Sequence, residues 1–461
     1  MTFEVDCTAH QLTPEEITCQ LQIHEQVLRN MKNAKRGSLG WGKAPQSQHS
    51  KNTVNPIRKI ADAMNVPTNP AKSVIRLNLG DPTITGKLPP SEVAMKALQE
   101  SMLSHKHDGY GPSVGELPAR QAVCDRYSTK SAPISPDDVI LTSGCSHALQ
   151  LAIEAMADFG DNILVPHPGF PLYSTLCRPH GIEDRPYRLD MKKGGLIDLD
   201  QLESLIDDRT RAIIINNPGN PTGVVFPKEH LQRVLEIAER NHVPIIADEI
   251  YGDLVYGGAK FHPIASLFPK VPVVSCDGIA KRWMVPGWRL GWVTIHNRFG
   301  VLDDVKAGMI ALSQKIVGPC ALIQGALPKI LKETPEEYFQ YNRNVISRNA
   351  EIIYDILKDV PGLMPLKPQG AMYMMIGVDK NVYGDEVTFV QELIKEESVI
   401  TFPGSAFSAP GWIRLVITHP EDIMAEAALR MKLFCQRLGD ITFEFESSDE
   451  GCDISNSEPE M

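Results

Sequence analysis

Two cationic residues eight positions apart are the side chains in this sequence best suited to chemistry. Lys281 follows a Val-rich run, and Arg289 follows the turn Pro286-Gly287. An ammonium group resists transfer into an apolar interior. In a dry, cationic neighbourhood, however, a lysine loses its proton and can form an imine with a carbonyl group. A guanidinium grips paired oxygen atoms, such as those of a phosphate. The alternative is an exposed Lys and Arg around a turn, and this stretch alone does not separate the two.

A carboxylate ends another apolar run. Asp248 follows Pro-Ile-Ile-Ala, and a charge at the end of a buried strand needs a partner. A protonated pyridine nitrogen would serve, because the carboxylate keeps that nitrogen charged and the charged ring then stabilises a carbanion. Tyr251 could donate its phenol proton to an oxygen on the same ring. The alternatives are an Asp that caps the next helix and a Tyr that packs in the core.

Two polar turns follow further apolar runs. The turn NNPGNPTG, which ends at Gly223, contains Asn220, whose amide can hydrogen-bond a ring oxygen without adding charge. The turn TSGC contains Ser143, Gly144 and Cys145 and opens a helix, so its backbone amides and the helix dipole predict an anion site. A plain loop is the alternative for both turns, and a redox role for Cys145 is disfavoured.

Two more side chains complete the candidate set. Phe170 follows the run that ends at Val165, where its ring could stack on an aromatic ligand or pack in the core. Arg414 lies inside the apolar segment WIRLVIT, and a buried guanidinium requires a carboxylate. A substrate carboxylate or a structural salt bridge would satisfy it.

The segments that position these residues alternate between β-branched runs and helical patterns, which predicts a mostly parallel sheet between helices. The runs are Val139–Leu141, Asn162–Val165, Ala212–Ile215, Pro244–Ala247, Val271–Val274 and Leu290–Ile295. Ligands of such sheets bind at the carboxyl ends of the strands, and the polar residues described above stand at or just beyond those ends. We therefore expect one site at this edge of the sheet.

The flanking segments differ in composition from this α/β part. A helix with a capping box is predicted to begin at Thr13. We expect an N-terminal extension, in large part mobile (1–54), an N-terminal arm and part of a small domain (55–90), a large ligand-binding domain (91–325), a small α+β domain (326–443) that includes a long helix from Glu336, and an acidic, disordered tail (444–461).

Composition excludes several classes of protein. The net charge of −11 argues against a nucleic-acid partner. No stretch reaches the roughly 20 apolar residues of a membrane helix. Nine cysteines without paired spacing indicate reduced thiols and neither a disulfide framework nor a metal site. The first residues resemble no targeting signal, so a cytoplasmic location is expected.

Taken together, these strings resemble the class I aminotransferases of pyridoxal phosphate (PLP) fold type I, over residues from about 55 to 443. The resemblance implies a seven-stranded, mostly parallel sheet in the large domain and PLP as cofactor. Lys281 would bind the cofactor covalently and carry the proton, Asp248 would pair with the pyridine nitrogen, and Phe170 would stack on the ring. Asn220 and Tyr251 would contact the ring oxygen.

The resemblance also implies the remaining contacts. Arg289, with the amides of Ser143, Gly144 and Cys145, would bind the cofactor phosphate, although Gly278 and Ala280 stand where many members have serines. Arg414 would bind the substrate α-carboxylate, with the Gly80 backbone and Asn220 beside it. Tyr110 matches the tyrosine that reaches the phosphate of the neighbouring subunit, which implies a homodimer.

Within the family, the strings are most similar to members that move the amino group of L-tyrosine and other aromatic amino acids to 2-oxoglutarate. Three alternatives stay open. They are an aminotransferase of other specificity, an α-carbon lyase on the same fold, and a binding protein that has kept the fold without catalysis. The last is disfavoured because Lys281, Asp248, Arg289 and Arg414 are all present.

Overall fold

The computed structural model describes residues 44–64, 66–83, 87–267 and 270–449. The chain divides into two compact units between Lys51 and Asn52. The helix predicted from Thr13 lies outside the described residues. A five-residue helix, Gln48–Asn52, stands within the extension that the sequence predicts to be mobile. Among the residues described, no helix combines the length and apolar character needed to cross a lipid bilayer.

The large sheet has the predicted α/β architecture. Seven strands of four to eight residues form it, and a two-residue strand extends one edge. In chain order they are β2 (Val139–Thr142), β3 (Asn162–His167), β4 (Glu183–Asp190), β5 (Leu196–Ile197), β6 (Thr210–Asn216), β7 (Ile245–Asp248), β8 (Val273–Gly278) and β9 (Gly291–His296). The spatial order is β2-β9-β8-β7-β6-β3-β4-β5, and β9 is antiparallel to both of its neighbours.

Both faces of this sheet are buried, which explains the unbroken apolar runs in its central strands. Ile213 and Ile245 pack on one face with helix residues such as Leu231, whereas Ile214 and Ile246 pack on the other face with residues of the helix that begins at Cys145. The strand β4 escaped prediction because half of it is polar and partly exposed.

The helices surround the two sheets. They are α1 (Gln48–Asn52), α2 (Pro56–Ala63), α3 (Glu92–Leu103), α4 (Leu117–Tyr127), α5 (Cys145–Met156), α6 (Leu172–Cys177), α7 (Leu199–Ser204), α8 (Lys228–Arg240), α9 (Asp303–Ser313), α10 (Ala321–Glu333), α11 (Glu336–Leu357), α12 (Lys380–Tyr383), α13 (Glu386–Glu397) and α14 (Glu421–Asp449).

A smaller antiparallel sheet follows in the chain. Its strands are β10 (Leu363–Leu366), β11 (Tyr373–Val378), β13 (Phe402–Pro403) and β14 (Trp412–Val416), in the order β10-β11-β14-β13. The early strand β1 (Ile75–Arg76) pairs in parallel with β12 (Val399–Ile400). The helix α11 begins at Glu336, as predicted. The helix α14 continues to Asp449, so residues 444–449 are helical where the sequence predicts a disordered tail, and the rest of that tail lies outside the described residues.

Candidate active site

Residues of both sheets line a cavity of about 260 Å³ at the carboxyl edge of the large sheet. The predicted residues that line it are Gly80, Cys145, Phe170, Asn220, Asp248, Tyr251, Lys281, Arg289 and Arg414. They meet because β6, β7 and β8 run in parallel and end side by side. Arg289 precedes the antiparallel strand β9, whose beginning lies at the same edge.

Lys281 supplies an amine to this cavity. It follows β8 by three residues, and its Nζ donates a hydrogen bond of 2.6 Å to the backbone oxygen of Gly80. The Nζ lies 6.0 Å from the centre of the Tyr251 ring. The amine is therefore anchored in the cavity by a backbone acceptor and keeps further hydrogens for a ligand.

Asp248 is a buried carboxylate at the end of β7, with 3% of its surface exposed. The Tyr173 hydroxyl donates to its Oδ2 at 2.7 Å, and the Cys145 Sγ lies 3.7 Å from its Oδ1. Burial raises the pKa of the Asp248 carboxyl, although both contacts act to lower it. Among the described residues, no cation lies within 4.0 Å of this carboxylate, so a cationic group of a ligand would stabilise its charged form.

Arg414 presents the opposite situation. Its guanidinium, 3% exposed, donates to the Asn220 Oδ1 at 3.0 Å and to the Asn78 backbone oxygen at 2.8 Å, while its Nε has no partner. No carboxylate among the described residues lies within 4.0 Å, so the structural salt bridge considered above is not formed there. Burial lowers the pKa of Arg414, and a ligand carboxylate would offset that cost.

Arg289 stands where the chain turns into β9. Its backbone is left-handed, with a φ of 50°, and its Nη2 donates to the Ser143 backbone oxygen at 3.3 Å. Gly144 has a φ of +76°, and a Cβ there would lie 2.7 Å from the Arg289 Nη2. The guanidinium thus packs directly on the start of α5. Together they form a cationic corner suited to an anion.

Two of the three predicted amide donors at this corner are already paired. The Ser143 N–H donates to the His147 Nδ1 at 3.2 Å, and the Gly144 N–H donates to the Thr142 oxygen at 2.8 Å. Neither Ser143 nor Gly144 lines the cavity, whereas Ser146 does. Sequence reasoning missed this use of His147 as an acceptor.

The aromatic residues form the remaining walls. Phe170 meets Tyr173 edge to face at 5.9 Å, so one contacts Asp248 while the other faces the cavity. The Tyr251 hydroxyl lies 2.7 Å from that of Tyr373. The site therefore combines an amine, a carboxylate, two guanidinium groups and an aromatic wall.

The sequence profile described as "Aminotransferase class I and II" matches residues 72–431. This chain belongs to that family. The aminotransferase is similar to a tyrosine aminotransferase of Caenorhabditis elegans, with 61% identity over 449 residues that cover 97% of this chain and 96% of the relative. The human protein named tyrosine aminotransferase is 46% identical over 401 residues, which cover 86% of this chain and 88% of the relative.

A solved structure of tyrosine aminotransferase from Leishmania infantum has the same fold, with a TM-score of 0.83 and 31% identity, and the match covers 86% of this chain and 99% of that one. The predicted family and the predicted fold, PLP fold type I, are both confirmed.

Tyr110 is the predicted residue of this aminotransferase that lies away from the cavity. Its side chain is 96% exposed and lines a separate depression with Ile316, Val317 and Cys320. Within one chain it contributes nothing to the site, so its predicted role depends on a second subunit.

Four polar residues of the site escaped prediction: Asn78, Ser146, Tyr173 and Tyr373. Tyr173 stands three residues after Phe170, and Tyr373 begins the buried run YMMIGV. Each resembles an ordinary core residue in sequence, because only the tertiary fold brings its hydroxyl to a partner.

Proposed function

We propose that this aminotransferase moves the amino group of L-tyrosine, and of other aromatic amino acids, to 2-oxoglutarate, giving 4-hydroxyphenylpyruvate and glutamate. The choice of tyrosine is supported by the names of relatives that are 61% and 46% identical. One observation carries the reaction type. A single cavity holds an amine, Lys281, together with a buried carboxylate that lacks a cation, Asp248, and a buried guanidinium that lacks a carboxylate, Arg414.

Pyridoxal 5′-phosphate fits the charges of this cavity. Its protonated pyridine nitrogen would supply the cation that the buried Asp248 lacks, and its phosphate would meet Arg289 and the start of α5. Phe170 would stack on the ring, and Tyr251 would donate to the ring oxygen. When bound, this cofactor supplies an electron sink for the carbanion that forms at the substrate's α-carbon.

The chain's own residues then divide the work. Arg414 binds the α-carboxylate through donors that point into the cavity, and Asn220 orients it by accepting from Nη1. Since its Oδ1 is occupied, Asn220 keeps Nδ2 to donate to the ring oxygen. The Lys281 Nζ takes the α-proton and returns it at the cofactor carbon. The Gly80 oxygen, 2.6 Å from that nitrogen, holds it on the substrate side.

The proposal includes a homodimer and two domains. Tyr110, exposed here, would reach the cofactor phosphate of the partner subunit, and the apolar side chains of Ile316 and Val317 beside it, 49% and 48% exposed, would be covered by the same contact. Residues 91–325 would form the large domain, and residues 55–90 with 326–443 the small one.

The deciding experiment is an absorbance spectrum of the purified protein with PLP, before and after L-tyrosine is added without a 2-oxo acid. Collapse of the lysine-bound cofactor band into the pyridoxamine band is expected, and 2-oxoglutarate should restore the first band. Product release without the pyridoxamine band would indicate a lyase. Bound PLP with an unchanged spectrum would contradict tyrosine as the substrate.

A further inference from the structure

Two buried phenols meet at the wall of the cavity. The hydroxyl oxygens of Tyr251 and Tyr373 lie 2.7 Å apart, and their rings cross at 80°. Tyr251 stands in the segment after β7 of the large sheet, whereas Tyr373 begins β11 of the small sheet. Both are nearly inaccessible, with 3% and 2% of their surface exposed. The bond therefore joins the two sheets at the site itself.

Tyr373 also contacts the arginine that awaits a carboxylate. The guanidinium carbon of Arg414 lies 4.5 Å from the centre of the Tyr373 ring, within the range of a cation–π contact. A cation over the ring draws electron density from the phenol, which makes its hydroxyl a stronger donor. Gly80 confines this hydroxyl further, because a Cβ at that glycine would lie 2.6 Å from the oxygen.

The direction of the hydrogen bond follows from these contacts. With Arg414 over its ring, Tyr373 is the better donor, and Tyr251 accepts. Among the described residues, the Tyr251 hydroxyl has no other partner, so its own proton is directed to the cavity that it lines. Burial raises the pKa of Tyr251 well above its ordinary value, so that proton stays in place. Hydrogen bonds in such a chain polarise one another.

We propose that Tyr373 is a positioning residue that links binding of a carboxylate at Arg414 to the hydrogen bond that Tyr251 donates to the cofactor's ring oxygen. A bound carboxylate neutralises the charge over the Tyr373 ring, Tyr373 then donates less strongly, and Tyr251 in turn donates less strongly to the ring oxygen. This inference rests on the proposed function, since it requires bound PLP and a carboxylate substrate.

The test uses the PLP-loaded protein and the variant Tyr373→Phe, which keeps the ring against Arg414 and removes only the hydroxyl. A ring oxygen with a weaker donor is more basic and shares its proton more firmly with the neighbouring nitrogen. The pH midpoint of the cofactor's absorbance transition should therefore rise by roughly half to one unit, the size of one hydrogen bond. Tyr256→Phe is the matched control, because it removes a buried hydroxyl that donates to the Gly370 oxygen at 3.0 Å; its midpoint should equal that of the wild type.

Two further measurements test the link itself. In a Tyr251→Phe background, removal of the Tyr373 hydroxyl should add no further shift, since the relay is already broken. Saturating 3-phenylpropanoate, a carboxylate without an amino group, should move the midpoint less in Tyr373→Phe than in the wild type. An unchanged midpoint in Tyr373→Phe, additive shifts in the double variant, or an equal response to 3-phenylpropanoate would each overturn the inference and leave the proposed function standing. A wild-type chain that binds no PLP would overturn both.

Discussion

Arg414 and Asn220, which are 194 positions apart in sequence, share a buried hydrogen bond of 3.0 Å from the guanidinium Nη1 to the amide Oδ1. This contact fixes the guanidinium before any substrate arrives. It joins β14 of the small sheet to the turn after β6 of the large sheet. Substrate binding and cofactor binding therefore share one frame.

Replacement of Arg414 by alanine should raise KM about a hundredfold for every amino acid and for the 2-oxo acid. All of these substrates carry the carboxylate that the guanidinium would bind, and two charge-assisted hydrogen bonds are lost together. Steady-state kinetics with tyrosine, phenylalanine and glutamate would measure this change. Arg240→Ala, which breaks an exposed pair with Glu203, is the control. An effect confined to aromatic substrates would contradict the assignment.

Lys281→Ala should still bind PLP without a covalent bond, while turnover falls by roughly three orders of magnitude or more, because the base that moves the α-proton is lost. Absorbance and single-turnover rates would report binding and chemistry separately. Lys329→Ala, which removes a lysine paired with Glu100 at the surface, should behave as the wild type. Near-normal turnover in Lys281→Ala would refute the role given to this lysine.

Mixing of two inactive variants tests whether subunits share sites. In a homodimer with Tyr110 in the partner's site, Lys281→Ala and Tyr110→Ala chains would combine to give hybrids with one intact site, whose lysine and tyrosine come from opposite chains. Unfolding and refolding the two variants together should restore activity to about a quarter of the wild-type value, by the statistics of random pairing and the symmetry of the closed dimer. No recovery, despite confirmed hybrid dimers, would show that Tyr110 does not complete a neighbouring site.

Tyr173→Phe removes the phenol that donates to Asp248 at 2.7 Å. Because this bond lowers the carboxyl pKa that burial raises, its loss should weaken the pairing of Asp248 with the cofactor. We expect the dissociation constant of PLP to rise about fivefold, as for one lost hydrogen bond. Fluorescence titration of the cofactor-free protein would measure it, and an unchanged constant would contradict the role given to Asp248 and its neighbour.

Glu249 gives a prediction about stability and pH. Burial raises the pKa of this carboxyl from 4.5 to about 7. Between these values the folded chain keeps a proton that the unfolded chain releases, so the stabilisation present below pH 4.5 is lost as pH rises through 7. From pH 5 to pH 8, the free energy of unfolding of the wild type should fall by about 2 to 3 kcal/mol relative to that of Glu249→Gln. Urea unfolding at both pH values checks this, and an equal change in both proteins would disprove it.

Much of the site was predictable because its residues end apolar runs. Asp248 and Lys281 stand where a charge has no ordinary reason to follow a buried strand, and the parallel sheet then places them together. Tyr173 and Tyr373 gave no such signal, since a tyrosine in an apolar run is common in protein cores. The Ser143 and Gly144 amides were assigned from the turn alone. Their acceptors, His147 and Thr142, are fixed by a local geometry that sequence does not encode in a readable way.

The stretch from Ile75 to Gly80 has a consequence for synthesis of the protein. It pairs with β12, and the Leu77 oxygen accepts from the Val416 N–H, while Asn78 and Gly80 hold Arg414 and Lys281. The early residues of the site thus wait for residues made more than three hundred positions later. On the ribosome, a nascent chain that has completed the large sheet still lacks a finished cavity. The cofactor can meet its full set of contacts only after Val416 has emerged, so capture of the cofactor marks a chain whose translation is almost complete.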